Sequence, residues 1–331
     1  ILYLSSQKTV MKRMLCSLWA IVLLSSWVYA QELSNNFTEK EWQMGPLGGM
    51  LTVPHQPIST NTAVLLIAGS GPTDRDGNQA MMQNNSLRFL AEGWSDAGFT
   101  VFRFDKRGIG SSASAEIKEA DIRFQDFVTD AVAWGNKLHA EGYTHLVVAG
   151  HSEGALVATL AAQQLKGVVG VISLSGAGRP ASAVIRSQLL KQPKEVQDLA
   201  FPVLDSLVQG KQVPDVSPWL WSLFRPSVQP YLISWFALDP ADEVARLEVP
   251  VLVTQGDQDL QVMMEDAEKL AQANKAAVLT PIKGMNHVLK QVIEGDIQDN
   301  WKSYSDSVRP IQPELLQRTL EYLKSLQTNR M

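Results

Sequence analysis

Six short apolar runs, at residues 62–68, 100–104, 145–149, 169–174, 251–254 and 277–282, recur along this chain with helix-patterned stretches between them. An apolar run too short for a helix and lacking period-2 alternation suits a strand buried on both faces. Strands that alternate with helices connect by crossovers, which makes them parallel. Phe124, Phe127, Val128, Ala131 and Leu138 share one helical face, as do Leu316, Leu320 and Leu323. The chain is therefore read as α/β, with a mostly parallel central sheet covered by helices on both faces.

Residues 178–247 break this rhythm. The stretch is long and rich in proline, and it carries Trp219, Trp221, Phe224, Tyr231, Trp235 and Phe236. An insertion of this length with its own aromatic content reads as a helical cap subdomain, because structureless loops of that size are rare in compact domains. The expected organisation is a leader and signal peptide over 1–30, a first part of the core over 31–177, the cap over 178–247 and a second part of the core over 248–331.

The leader is read from Met11 onward. Lys12 and Arg13 form a positive n-region, 15–27 an apolar h-region, and Val28-Tyr29-Ala30 a small-residue cleavage site. Cleavage after Ala30 leaves no stable membrane anchor and implies an exported protein, periplasmic or extracellular. Cys16 is the only cysteine and falls in this leader. The mature chain would hold no thiol for a disulfide, a metal or nucleophilic catalysis. With 34 acidic and 29 basic residues spread along the sequence, the net charge of −5 offers no basic face, so no nucleic-acid partner is expected.

Gly150-His151-Ser152-Glu153-Gly154 follows the apolar run 145–149 and precedes a helical pattern at 155–165. The pattern G-x-S-x-G on a tight strand-to-helix turn exposes its serine above the sheet. A serine hydroxyl is a poor nucleophile until a base takes its proton, so a histidine held by a carboxylate is required. Both follow in the order acid, then histidine. Asp257 and Asp259 lie beyond the run 251–254, and His287 lies beyond 277–282. His55, His139, His145 and His151 read as surface or packing positions. The four are far apart and lack metal-ligand spacing, so neither metal nor cofactor is expected.

Linked motifs then point to a family. They are L-L-I-A-G-S-G-P at 65–72, F-D-K-R-G-I-G-S-S at 104–112, G-H-S-E-G at 150–154, V-T-Q-G-D-Q-D-L-Q-V at 253–262 and G-M-N-H at 284–287. Over roughly 45–327 the chain resembles the bacterial α/β-hydrolases of the secreted carboxylesterase and serine-aminopeptidase-like group. It departs from the commonest pattern by having Ala68 where many members carry histidine. The resemblance implies the α/β-hydrolase fold and a catalytic triad of Ser152, Asp259 and His287, with Asp259 preferred to Asp257. The oxyanion donors would be the backbone N–H groups of Glu153 and Ser70, with Gly71 as the alternative to Ser70. Around Asp105, Arg107, Gly108 and Gly110 a structural turn is implied, and Arg75 is read as a brace of its loop.

The expected activity is hydrolysis of a small carboxylic ester through an acyl-enzyme. The same machinery would serve an aminopeptidase or a thioesterase. Asp239 and Asp242 in the cap are the candidates to hold a peptide's ammonium group. A non-catalytic binding protein on the same fold is the alternative of a different class.

Overall fold

The computed structural model describes residues 36–114 and 116–328. The leader read over 1–30 lies outside them. Eight strands form one sheet: β1 (Phe37–Met44), β2 (Leu47–Pro54), β3 (Thr62–Ile67), β4 (Thr100–Phe104), β5 (His145–His151), β6 (Val168–Leu174), β7 (Val251–Gly256) and β8 (Ala277–Ile282). Their order is β1-β2-β4-β3-β5-β6-β7-β8. From β4 to β8 every neighbour is parallel, whereas β1 and β2 are antiparallel to each other and β2 is antiparallel to β4.

The six runs read from sequence are the six parallel strands. The two antiparallel strands escaped that reading for physical reasons. At the sheet margin, β1 exposes Thr38, Glu39, Lys40 and Glu41, so its apolar content is low. β2 carries Gly48 and Gly49, and a Cβ at Gly49 would lie 2.3 Å from the ring of Phe102. A position that must stay bare for a neighbour's ring leaves no hydrophobic signature.

The helices are α1 (Ser86–Asp96), α2 (Phe124–Ala140), α3 (Glu153–Ala162), α4 (Ala181–Leu189), α5 (Lys194–Val208), α6 (Trp221–Phe224), α7 (Gln229–Phe236), α8 (Pro240–Ala245), α9 (Met264–Ala273), α10 (Ile297–Ser303) and α11 (Pro313–Thr328). Alternate strand residues serve opposite faces of the sheet. Leu65, Phe102 and Val148 pack with Trp134 of α2 and Val157 of α3. Val64, Val101 and Val147 pack with Trp94 of α1 and Leu323 of α11. On that second face the indole N–H of Trp94 donates to Thr319 Oγ1 at 2.9 Å, which satisfies the polar end of a fully buried ring.

Helices α4 to α8 all lie between β6 and β7. Val203, Leu204, Phe224, Tyr231 and Leu232 belong to the same hydrophobic cluster as α2 and α3, so the insertion has no core separate from the first face. The N–H of Phe124 at the start of α2 donates to Ser234 Oγ at 2.8 Å. The rings of Phe124 and Trp235 stack at 6.0 Å, and Arg225 pairs with Glu119. Of the insertion's aromatics, Phe224, Tyr231 and Phe236 are buried, while Trp219 and Trp221 face outward.

Candidate active site

The carboxyl ends of β3, β5, β7 and β8 face the insertion, and each contributes a loop to one site. Ser152 stands between β5 and α3 with φ 54° and ψ −120°. A non-glycine residue in such a conformation costs on the order of 1–3 kcal/mol and is held only where its surroundings enforce it. The enforcement here is steric. A Cβ at Gly150 would fall 1.9 Å from the carbonyl oxygen of Gly154, and one at Gly154 would fall 2.6 Å from the carbonyl oxygens of Ile67 and Ala68. Both glycines are required so that strand and helix can close on each other and leave the serine projecting. The N–H of Ser152 donates to Leu174 O at 2.9 Å, pinning the turn to β6.

His287 lies on the loop after β8, with Nε2 3.1 Å from Ser152 Oγ and Nδ1 2.8 Å from Asp259 Oδ2. Asp259 also accepts from the N–H groups of Gln261 (2.8 Å) and Val262 (3.0 Å) on Oδ1, and from Gln255 Nε2 (3.0 Å) on Oδ2. Burial pushes this carboxyl up, but the adjacent His287 and these N–H donors outweigh it and hold the group below the ordinary carboxylate range. A carboxylate can only accept, so the proton of neutral His287 sits on Nδ1 and Nε2 is free to receive one from Ser152. Asp257, the rival acid, is exposed; its Oδ1 accepts from the N–H of Gly284 at 2.7 Å and closes the turn after β8.

His151 is not a surface position. Its Nε2 lies 2.7 Å from the carbonyl oxygen of His287, and the two rings are 4.9 Å apart. Burial first, and then the proximity of His287, push its pKa down to about 3. A neutral ring facing a carbonyl must donate, so His151 carries its proton on Nε2 and holds the backbone of the histidine beside it. His55, His139 and His145 line neither cavity around Ser152.

The loop after β3 packs directly on the serine turn. A Cβ at Gly69 would be 3.1 Å from His151 Nδ1 and 3.3 Å from Ser152 Cβ. The buried Lys106 donates from Nζ to the Gly69 carbonyl at 2.5 Å. The peptide joining Gly69 to Ser70 is trans, so fixing its carbonyl on Lys106 turns the Ser70 N–H the opposite way. The same Nζ lies 3.4 Å from Glu153 Oε1, and the hydroxyl of Tyr231 donates to Glu153 Oε2 at 2.5 Å. The side chains of Lys106 and Glu153 are 2% and 1% exposed, so this ion pair is sealed from water. The N–H of Glu153 is one of the unpartnered donors expected at the start of a helix. Sequence reasoning placed Glu153 and Ser70 at the site but missed Lys106, Tyr231 and His151. Lys106 directly follows Asp105 at the end of a strand, and nothing along the chain marks its reach across 37 residues to Gly69.

Arg75 lines neither cavity; its guanidinium bonds Ser111 Oγ at 2.8 Å and pairs with Asp105 at 3.2 Å, so it braces the loop as expected. Asp239 caps α8 by accepting from the N–H of Ala241, Asp242 is exposed, and neither lines a cavity.

Two cavities open from Ser152. One, about 770 Å³, contains His287 and runs past Gln79, Gln192 and Trp301. The other, about 380 Å³, contains Glu153 and runs under the insertion past Val184, Leu232 and Trp235. Ser70, Gln79, Gln188 and Gln261 border both. Among the described residues there is no cluster of three or more His, Cys, Asp or Glu that could hold a metal ion, and no helix long and apolar enough to cross a membrane.

The model of the family described as serine aminopeptidase, S33, matches residues 83–232. The esterase EstD of Thermotoga maritima is 28% identical over 242 residues, covering 70% of this chain and 55% of EstD, so the chain spans about half the length of that curated relative. Among solved structures, the esterase Est1E of Butyrivibrio proteoclasticus, with ferulic acid bound, superposes with a TM-score of 0.59 at 18% identity, covering 85% of this chain and 96% of Est1E. The Pyrococcus furiosus esterase Pf2001 gives 0.53 at 16% identity, covering 87% and 92%. These likenesses, with the sheet order and the serine turn, establish the α/β-hydrolase fold.

Proposed function

We infer that this chain, which has the α/β-hydrolase fold, is a serine hydrolase that cleaves carboxylic esters through an acyl-enzyme. The observation that carries this reading is the continuous hydrogen-bonded line from Asp259 through His287 to Ser152, ending on a serine held above the sheet. Ser152 Oγ attacks the ester carbonyl as His287 Nε2 takes its proton, and Asp259 stabilises the imidazolium that forms. The negative charge on the carbonyl oxygen is met by the N–H groups of Ser70 and Glu153. Collapse breaks the bond to the alcohol oxygen, which receives the proton from His287. Water then repeats the sequence on the acyl-enzyme and releases the acid.

An aminopeptidase would need a carboxylate to receive a substrate ammonium. Among the described residues lining the two cavities, Glu153 is the only carboxylate, and Lys106 and Tyr231 already engage both of its oxygens. This favours an ester over a peptide with a free N-terminus. Export rests on the pattern at 11–30, and N-terminal sequencing of the secreted form is expected to begin at Gln31.

Intact-mass spectrometry after fluorophosphonate treatment tests the reading. A single adduct on the wild type and none on Ser152→Ala is the expected result. Absence of an adduct on the folded wild type would overturn it.

A further inference from the structure

Strand β7 is apolar over Val251-Leu252-Val253 and then carries Thr254 and Gln255, both wholly buried. Gln255 Nε2 donates to Asp259 Oδ2 at 3.0 Å and to the carbonyl oxygen of Val262 at 2.9 Å, and it lies 3.4 Å from the carbonyl oxygen of Gly256. All three oxygens accept, so the amide is fixed with its nitrogen toward Asp259; turned over, it would set oxygen against carboxylate. Its Oε1 is buried with no hydrogen-bond partner among the described residues. An unpaired buried amide oxygen costs on the order of 1–3 kcal/mol, so a glutamine is an expensive side chain at this position. Its bond to Val262 braces the loop after β7, and its bond to Asp259 bears on the reaction.

The N–H groups of Gln261 and Val262 already hold Asp259 by Oδ1. Gln255 instead shares Oδ2 with His287 Nδ1, so one oxygen serves both donors. We propose that Gln255 is a positioning residue that sets the basicity of His287 through Asp259, keeping Nε2 free to take the serine proton in more acidic solution. This deepens the serine-hydrolase reading above and rests on it. When His287 is protonated, the negative charge on Asp259 stabilises the imidazolium. A donor on the same oxygen draws part of that charge to itself, and the positive end of its N–H opposes the imidazolium directly. Both effects make the imidazolium harder to form. The base is weaker, but less of it is lost to solvent protons as pH falls, and a general base works best when matched to its operating pH.

The other titratable groups around His287 do not do this work. His151, at the end of β5, is neutral above about pH 3. Tyr304, which follows α10 and lines the same cavity as His287, has its phenol pushed up to about 13 by burial and stays neutral. Lys290, on the loop of His287, turns its ammonium to the carbonyl oxygen of Arg309. Lys191 reaches the carbonyl oxygen of Leu260, Asp257 is spent on Gly284, and Lys106 and Glu153 pair with each other. Among the described residues, Asp259 is the one charged group bonded to the imidazole of His287, and Gln255 is the one side chain besides His287 that bonds Asp259.

The test follows the rate of fluorophosphonate inactivation against pH, which reports activation of Ser152 without a choice of substrate. Gln255→Met and Gln255→Leu remove the donor and keep an apolar side chain of similar size. In both, the acid limb of the profile is expected to move to higher pH by about half a unit or more, equal to roughly a threefold loss of rate on the acid side relative to the plateau. An acid limb that stays in place in the folded variants, with or without a lower plateau, is what a purely structural role would give and would overturn the proposal; so would a limb that moves to lower pH. The wild type supplies a measurement that needs no variant to fold: the side-chain amide signal of Gln255 in 15N–1H spectra is expected to shift with the same midpoint as the acid limb, and a signal that ignores that midpoint would overturn the proposal. All of these outcomes leave the hydrolase reading standing, whereas no adduct on the folded wild type at any pH would overturn both.

Discussion

His151 occupies the variable position of the G-x-S-x-G turn, yet it is buried and bonded to the backbone of His287. Its folded pKa of about 3 lies below the ordinary value of 6.5, so the unfolded chain binds more protons than the native one between those limits. Stability from the neutral ring is therefore complete above about pH 6.5 and is lost as pH falls toward about 3. That single site contributes a slope of roughly 1.4 kcal/mol per pH unit within the window. Urea denaturation across pH 4–7 is expected to show the slope in the wild type and its reduction in His151→Gln, whose amide keeps a donor but does not titrate; an equal slope in both proteins would refute the assignment. Sequence could name Ser152 and His287 because local pattern and chain order carry them. It could not find the role of His151, because the oxygen it bonds is 136 residues away.

The elements around the serine act as a unit. Lys106 follows β4, Gly69 lies on the loop after β3, and Glu153 begins α3; the lysine's ammonium group touches the other two. Lys106→Met is expected to lower kcat about 10- to 100-fold with little change in KM, because it releases the Gly69–Ser70 peptide, and losing one oxyanion donor typically costs about 10²–10³ in kcat. Because a buried Glu153 without its partner would itself destabilise the fold, Lys106→Met combined with Glu153→Gln provides the control. A near-normal kcat in the folded double variant would show that the lysine serves stability alone. The same local view explains which elements were legible: parallel strands announce themselves as continuous apolar runs, but β5 and β7 run two residues past theirs, because backbone pairing continues to His151 and Gly256. The hairpin of β1 and β2 stayed hidden behind its charges and glycines.

At the scale of the whole molecule, the insertion and the parallel sheet share one apolar cluster, and Tyr231 of α7 reaches Glu153 beneath it. A part without its own core has no independent folded state to retreat to. Unfolding is expected to be a single transition, with tryptophan fluorescence and far-ultraviolet circular dichroism reporting the same midpoint; a separate early fluorescence change would indicate that the insertion melts alone. The interruption in the strand–helix rhythm was visible in the sequence, whereas its fusion to the core depends on contacts such as Phe124 with Trp235 that no periodicity encodes. The sheet ends in two margins. One is β1, with Glu39, Lys40 and Glu41 facing solvent, and the other is β8, where Pro281 has no N–H to offer an incoming strand. Both margins are thereby made poorer templates for an incoming strand.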